Sequence, residues 1–152
     1  MIQRIQSVYL LIAAICGMVG LSLPVGRYVT DGLLSATMYN LWIVPADGSS
    51  RSFASAPLFV VLLLASAISL YTIFLYKNRK QQMRFCSFAS LLLVGWYVVY
   101  AVLAVLCGGG SDTSFSPSLY GALPAVTLIL NVMASRAIRA DERLVRAADR
   151  IR

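Results

Sequence analysis

Four long apolar runs alternate with polar segments along the chain, and none of the runs contains Asp, Glu, Lys or Arg. They cover residues 5–23, 58–76, 85–107 and 119–134, and the pattern around the fourth predicts a helix over about 118–138. A helix needs about 20 mostly apolar residues to cross a bilayer. Because backbone polar groups in lipid must be bonded within the protein, the runs predict four transmembrane helices rather than strands.

The polar segments between these runs complete a single membrane domain over residues 1–152. The predicted fold class is an all-α membrane protein: a four-transmembrane-helix bundle with a small extracytoplasmic β-hairpin or sheet and a cytoplasmic C-terminal helix. Its remaining segments are a first outer loop at 24–56, an inner loop at 77–84, a second outer loop at 108–117 and a tail helix at 139–152.

The first outer loop is longer than a bare connection requires, and it has β-rich stretches on both sides of Asp31 and Gly32. An Asp-Gly pair favours a two-residue turn with positive φ. The pattern predicts a hairpin that pairs 27–30 with 37–44. The second outer loop, "GGGSDTSFSPS", is rich in Gly and Ser, which predicts a segment that is mobile or folded over the first loop.

The composition agrees with a membrane protein. Of the 152 residues 59% are apolar and only 12% are charged, against about a quarter charged in soluble domains. The net charge of +7 would suggest nucleic acid in a soluble chain, but here its location matters more, and no nucleic acid is expected. The odd count of three cysteines, together with the absence of histidine, argues against a disulfide framework or a zinc site.

The cations are divided unequally between the two sides of the predicted bundle. Eleven of the thirteen Lys and Arg residues lie before the first run, in the inner loop or in the tail, and only Arg27 and Arg51 lie in the outer loops. The positive-inside rule therefore predicts a bacterial cytoplasmic (inner) membrane protein with both termini in the cytoplasm, against anionic lipid headgroups. A secretory signal is a weaker alternative for the first run, because no Ala-x-Ala site follows it directly.

Reactive groups are scarce in this sequence. An ionisable residue inside a membrane usually marks a proton or substrate pathway, and the four runs contain no Asp, Glu, Lys or Arg. No nucleophile and base stand in a recognisable pattern, so we expect no enzyme and no catalytic, cofactor-binding or metal-ligating residues. The mild candidates for ligand or interhelical contact are Trp96, Tyr97, Tyr100 and Asn131. Packing within the bundle and contact with a flat or lipidic ligand both remain open for them.

Small residues at Ala13, Gly17 and Gly20 form one face of the first predicted helix. Such faces let helix backbones approach closely. Packing within this chain and pairing in a homodimer are the two alternatives that this face leaves open.

The tail combines charge with an apolar stripe. Leu144, Ala148 and Ile151 recur at helical spacing, and Glu142 and Arg146 form a favourable i,i+4 pair. The tail either lies against anionic headgroups or docks on a protein partner. The candidate contact residues for both alternatives are Arg139, Glu142, Leu144, Arg146, Arg150 and Ile151.

The opening "MIQRIQSVYLL" and the closing "DERLVRAADRIR" together resemble an uncharacterised family of small bacterial integral membrane proteins, a domain of unknown function of the Bacteroidetes-type lineage. The resemblance implies four spans and a membrane location but no reaction. Two functions stay open: a non-enzymatic accessory or interaction subunit, and a small binder or transporter of lipid, quinone or another hydrophobic solute.

Overall fold

The computed structural model describes residues 3–75, 78–107 and 113–150, with side chains for 5–75, 78–107 and 113–144. It contains four helices that are long and apolar enough to cross a membrane. The helices are α1 (Gln3–Ser22), α2 (Ala56–Phe74), α3 (Arg79–Leu106) and α4 (Leu123–Arg150), and the strands are β1 (Pro24–Thr30), β2 (Leu33–Tyr39), β3 (Ile43–Pro45) and β4 (Thr113–Pro117). A short 3₁₀ turn over Leu119–Ala122 leads into α4.

The four helices pack as a ring in which α1 and α3 each contact both α2 and α4. Small residues on α1 determine how closely it approaches the neighbouring helices. Gly17 of α1 lies directly against the side chain of Ser66 on α2, and a methyl group at Gly20 would lie 3.6 Å from both Leu62 and Leu123. The small face of α1 is therefore used inside this chain, where it lets α1 reach both of its neighbours.

The strands form one antiparallel sheet in the order β3-β2-β1-β4. The predicted small antiparallel element is confirmed: β1 and β2 form a hairpin around Asp31 and Gly32, whose φ values of 53° and 77° fit a two-residue turn. The single strand predicted over 37–44 is in fact two strands, because the chain leaves β2 after Tyr39 and begins β3 at Ile43.

Strand β4 comes from the segment predicted as the second outer loop and pairs with β1, so one sheet contains segments of both predicted loops. Strand β1 begins at Pro24, earlier than predicted, because Pro24 already pairs with Tyr39 of β2. The ring of Phe115 on β4 covers Gly26 on β1, so a side chain at position 26 would collide with that ring. We call the end of the bundle that carries this sheet the sheet end and the opposite one the tail end.

The turn between α2 and α3 at the tail end is shorter than the inner loop predicted over 77–84. Helix α3 already begins at Arg79, because Lys, Arg, Gln and Met are good helix formers. Gln82 then folds back and donates through Nε2 over 3.3 Å to the carbonyl of Thr72, near the end of α2, which also accepts the backbone N–H of Leu75 over 3.2 Å. Residues 76 and 77 of the predicted second span and inner loop, and 108–112 of the second outer loop, lie outside the described residues.

Among the described residues, two apolar cores fill the bundle. The core at the sheet end joins the sheet to the helices through Val25, Tyr28, Met38 and Trp96 among others. A smaller core at the tail end contains Leu10, Cys86, Ala134 and Ile138. Large apolar side chains also cover the outside of all four helices, which fits a surface that contacts lipid rather than water.

Candidate functional site

Three of the predicted contact residues form one aromatic cluster on α3. Trp96 is completely buried and stacks on Tyr100, with ring centroids 5.1 Å apart and planes 12° from parallel. Tyr97 meets the same indole edge-on at 4.9 Å. Positions 96 and 100 lie one turn apart on the same helix face, so the stack follows from local helix geometry.

The indole of Trp96 is joined to the sheet end through a single amide side chain. Its Nε1 donates to Oδ1 of Asn40 over 3.1 Å. The Nδ2 of Asn40 donates in turn to the carbonyl of Gly20 over 2.8 Å. Asn40 is fully buried, so the connection between β2 and β3 is fixed against both α1 and α3. Sequence reasoning missed Asn40, and its only sequence signal is an amide inside the apolar stretch "MYNLWIV".

Both tyrosine hydroxyls of the cluster also bond to backbone at the sheet end. Tyr97 donates to the carbonyl of Gly121 over 2.8 Å, and Tyr100 donates to the carbonyl of Val25 over 2.7 Å. These bonds tie α3 to the 3₁₀ turn that leads into α4 and to the start of β1. The polar atoms of the cluster are thus used in holding the sheet on the helices.

Tyr28 on β1 completes this junction and was not predicted. Its hydroxyl donates to the carbonyl of Leu103 over 3.0 Å, and its ring lies 5.0 Å from that of Phe115. Burial raises the pKa of this hydroxyl above its usual range, so Tyr28 stays protonated and keeps donating at every physiological pH.

Asn131, the fourth predicted contact residue, lies apart from the aromatic contacts just described. It is fully buried on α4, and its Oδ1 accepts a hydrogen bond of 3.1 Å from Ser69 of α2. The bond joins two helices that face each other across the ring. The Nδ2 of Asn131 has no hydrogen-bond partner among the described residues, which leaves a buried donor free in the middle of the bundle.

The tail candidates lie at the far end of α4. Arg139 and Glu142 line a cleft between α4 and α3, and the side chain of Leu144 is 58% exposed. Arg146 and Arg150 belong to α4, but their side chains lie outside the described residues, as does the whole of Ile151.

An ion pair that sequence reasoning did not predict fixes the start of the tail. Oδ2 of Asp141 lies 3.0 Å from Nη1 of Arg79, the first residue of α3. Both side chains are mostly buried, with 14% and 28% exposed, so the pair is better shielded from water than a surface salt bridge. It joins the start of α3 directly to α4.

In the part of the chain that the structure describes, no three His, Cys, Asp or Glu side chains come together as a metal site would require. The arrangement therefore offers a rigid aromatic junction at one end, a free amide at mid-bundle and charged clefts at the other end.

These features define the class: a small, mostly helical protein with four membrane-capable helices and a four-stranded sheet across one end. The chain belongs to the family described as a domain of unknown function (DUF4293), whose family model matches residues 2–151. The resemblance to an uncharacterised family, drawn from the two ends of the sequence, is confirmed. No curated protein matches the chain.

Proposed function

We propose that the protein is a non-enzymatic accessory subunit of the bacterial inner membrane that binds a protein partner through the tail segment of α4, residues 139–150. The observation that carries the proposal is the continuity of α4. The helix runs unbroken from Leu123 to Arg150, about 42 Å, which exceeds the roughly 30 Å of a hydrocarbon core. Its last turns therefore project beyond the membrane as a ready-made helix.

The tail also leaves the bundle in a fixed direction. The ion pair between Arg79 and Asp141 clamps α4 to α3 at the point where the projecting part begins. A pre-ordered helix loses less conformational entropy on binding than a free peptide does. Leu144, exposed just beyond the clamp, begins the apolar stripe that continues in the sequence with Ala148 and Ile151. A partner with an apolar groove bordered by acidic residues would complement this stripe and its arginines.

The charge distribution supports an orientation with both termini in the cytoplasm. Eleven of thirteen cations belong to the tail end of the bundle or to the segments that lead into it. The sheet end carries Arg27 and Arg51 beside acidic residues such as Asp31 and Asp47. Under the positive-inside rule the sheet faces outward and the tail meets its partner in the cytoplasm.

Site-specific photo-crosslinking in native membranes tests the tail as a docking helix. A photoreactive phenylalanine analogue replaces Leu144 in one variant and Ile129, which is 59% exposed on the spanning part of α4, in the control. We expect a discrete crosslinked product from position 144 and none of that mass from position 129. The variant Leu144→Glu should reduce detergent co-purification of the same partner.

Two results would overturn the proposal. One is recovery of the chain only as a monomer, with no discrete product from position 144. The other is a product at twice the chain mass. It would mean that the tail binds a second copy of this chain, with no accessory role.

A second candidate function rests on the free amide of Asn131. A buried donor without an acceptor is costly, and a polar group of a bound lipid, quinone or other hydrophobic solute would satisfy it. Organic extraction of the purified protein, followed by mass spectrometry, distinguishes this solute binder from the accessory subunit. A stoichiometric solute that is lost from Asn131→Leu and retained in Ser69→Ala would favour this binder over the accessory subunit.

A further inference from the structure

A cleft of about 640 Å³ lies between α3 and α4 at the tail end. Three cations line it, Lys80 and Arg84 from α3 and Arg139 from α4, together with one carboxylate, Glu142. The opposite part of its lining is apolar and includes Phe88 and Leu91.

The lining changes from charged to apolar in one direction along α3. Lys80, Arg84, Phe88 and Leu91 follow one another at intervals of three or four residues, so they share one face of the helix. Eleven residues separate the first from the last, about 16 Å along the axis. The cations lie at the membrane boundary and the apolar pair lies toward the middle of the bundle. A phospholipid has the same order of headgroup and acyl chain.

The electrostatics of the charged part favour an anion. Three cations face one carboxylate, and the first turn of α3 contains no acidic residue. Lys80 lies in that first turn, where the partial positive charge of the helix N-terminus adds to its own. A phosphodiester is the anion that a lipid presents at this depth, and Arg84 and Arg139 are suited to bind it through paired N–H donors.

A second cleft, of about 680 Å³, adjoins the first and lies between α2 and α3. It shares Arg84 and Phe88 with the first cleft. Its wall contains the rings of Tyr71 and Phe85, which meet edge-on at 5.6 Å. A headgroup at Arg84 therefore has an apolar surface on each side of it, one for each acyl chain of a diacyl lipid.

We propose that the inner half of α3 is a binding site for one anionic phospholipid. Its phosphate is held by Arg84, Arg139 and Lys80, and its acyl chains lie along the two clefts. The site depends only on membrane insertion and does not rest on the partner proposed for the tail.

The test uses the purified full chain in a neutral detergent and native mass spectrometry. The protein is titrated with phosphatidylglycerol and, separately, with phosphatidylcholine of the same acyl chains. We expect one phosphatidylglycerol to remain bound and to do so at least tenfold more tightly than phosphatidylcholine. Arg84→Gln combined with Arg139→Gln should weaken phosphatidylglycerol binding about 30-fold, since each near-surface cation contributes about a factor of five to anionic lipid binding.

The matched control removes two cations from the same helix end but outside the cleft, with Arg136→Gln combined with Arg143→Gln. Both arginines are exposed, and we expect less than a threefold loss. Circular dichroism and melting of each double variant establish that it is folded.

Three outcomes would overturn the proposal. Equal losses in the two double variants would mean a diffuse surface potential without a site. Equal binding of the two lipids would remove the charge selectivity. Competition by soluble glycerol phosphate at the same concentrations would show that the acyl chains play no part. None of these measurements involves a protein partner, so the failure of either proposal is recognisable separately.

Discussion

The indole nitrogen of Trp96 donates a 3.1 Å hydrogen bond to Asn40, and the amide of Asn40 donates a 2.8 Å bond to the carbonyl of Gly20. One buried side chain between two strands thus joins α3 to α1. Hydrogen bonds to buried side chains therefore fix the sheet to the helices at the sheet end of the bundle. This relationship makes the sheet end a rigid unit whose stability depends on a few identifiable bonds.

Replacement of Asn40 by Ala should destabilise the protein more than most single substitutions. It leaves the Nε1 of Trp96 buried without this partner, at about 1–3 kcal/mol, and removes a hydrogen bond to the carbonyl of Gly20, which keeps the N–H of Leu23 as a donor at 3.4 Å. We expect the melting temperature in detergent to fall by at least about 2 °C at this chain length. Asn78→Ala is the matched control, because Asn78 is exposed and its side chain caps nothing at the start of α3. Equal melting of both variants would contradict the role given to Asn40.

The helices of this fold were predictable because core and lipid-facing positions are both apolar, so each span appears as a run of about 20 residues. The Asp31-Gly32 hairpin was predictable from its turn chemistry. Strand β4 was not, because five residues in a Ser-rich segment form a strand only once β1 is beside them. The same holds for the site: the aromatic cluster could be found as a motif, whereas Asn40 acquires its role only through tertiary contacts.

Gly17→Ala tests the close approach of α1 and α2. The added methyl group would occupy the space of the Ser66 hydroxyl, so the helices must separate or Ser66 must change rotamer. We expect a loss of about 1–3 kcal/mol, measured as a lower melting temperature, as for other overpacked cores. Gly95→Ala on α3 is the control, since nothing lies within 4 Å of the position of its new methyl group.

The second-site change Ser66→Ala refines this test. It removes the hydroxyl and leaves the Ser66 Cβ at 3.1 Å from the new methyl group, so it should restore part of the lost stability of Gly17→Ala. If Gly17→Ala melts as the wild type does, α1 and α2 do not meet at this position in solution.

The Ser69–Asn131 pair should respond unequally to loss of its two partners. Ser69→Ala leaves the Asn131 amide buried with neither its oxygen nor its nitrogen bonded, and we expect a loss of about 1 kcal/mol. Asn131→Leu removes the whole amide, while Ser69 keeps the carbonyl of Ala65 as an acceptor at 2.9 Å. That variant should melt at or above the wild-type temperature.

Ser90→Ala is the matched control for Ser69→Ala. The Ser90 hydroxyl bonds only within its own helix among the contacts that the structure describes, to the carbonyl of Cys86 at 2.8 Å. Its removal should change the melting temperature by less than about 1 °C. A destabilised Asn131→Leu would instead indicate that the free amide nitrogen binds something that stabilises the fold.

Deletion of residues 141–152 should separate orientation from function. Lys80, Arg84, Arg136 and Arg139 remain in the truncated chain, so much of the positive charge that predicts a cytoplasmic location for this end is preserved. A reporter fused after Ala140 should therefore stay on the cytoplasmic side, while partner crosslinking through the tail is lost. Activity of a periplasm-dependent reporter at that position would show that the deleted acidic and basic residues help to set the topology.

In the point variant Asp141→Asn, which breaks only the ion pair with Arg79, we expect unchanged topology and weakened partner binding, because the projecting helix is no longer clamped to α3.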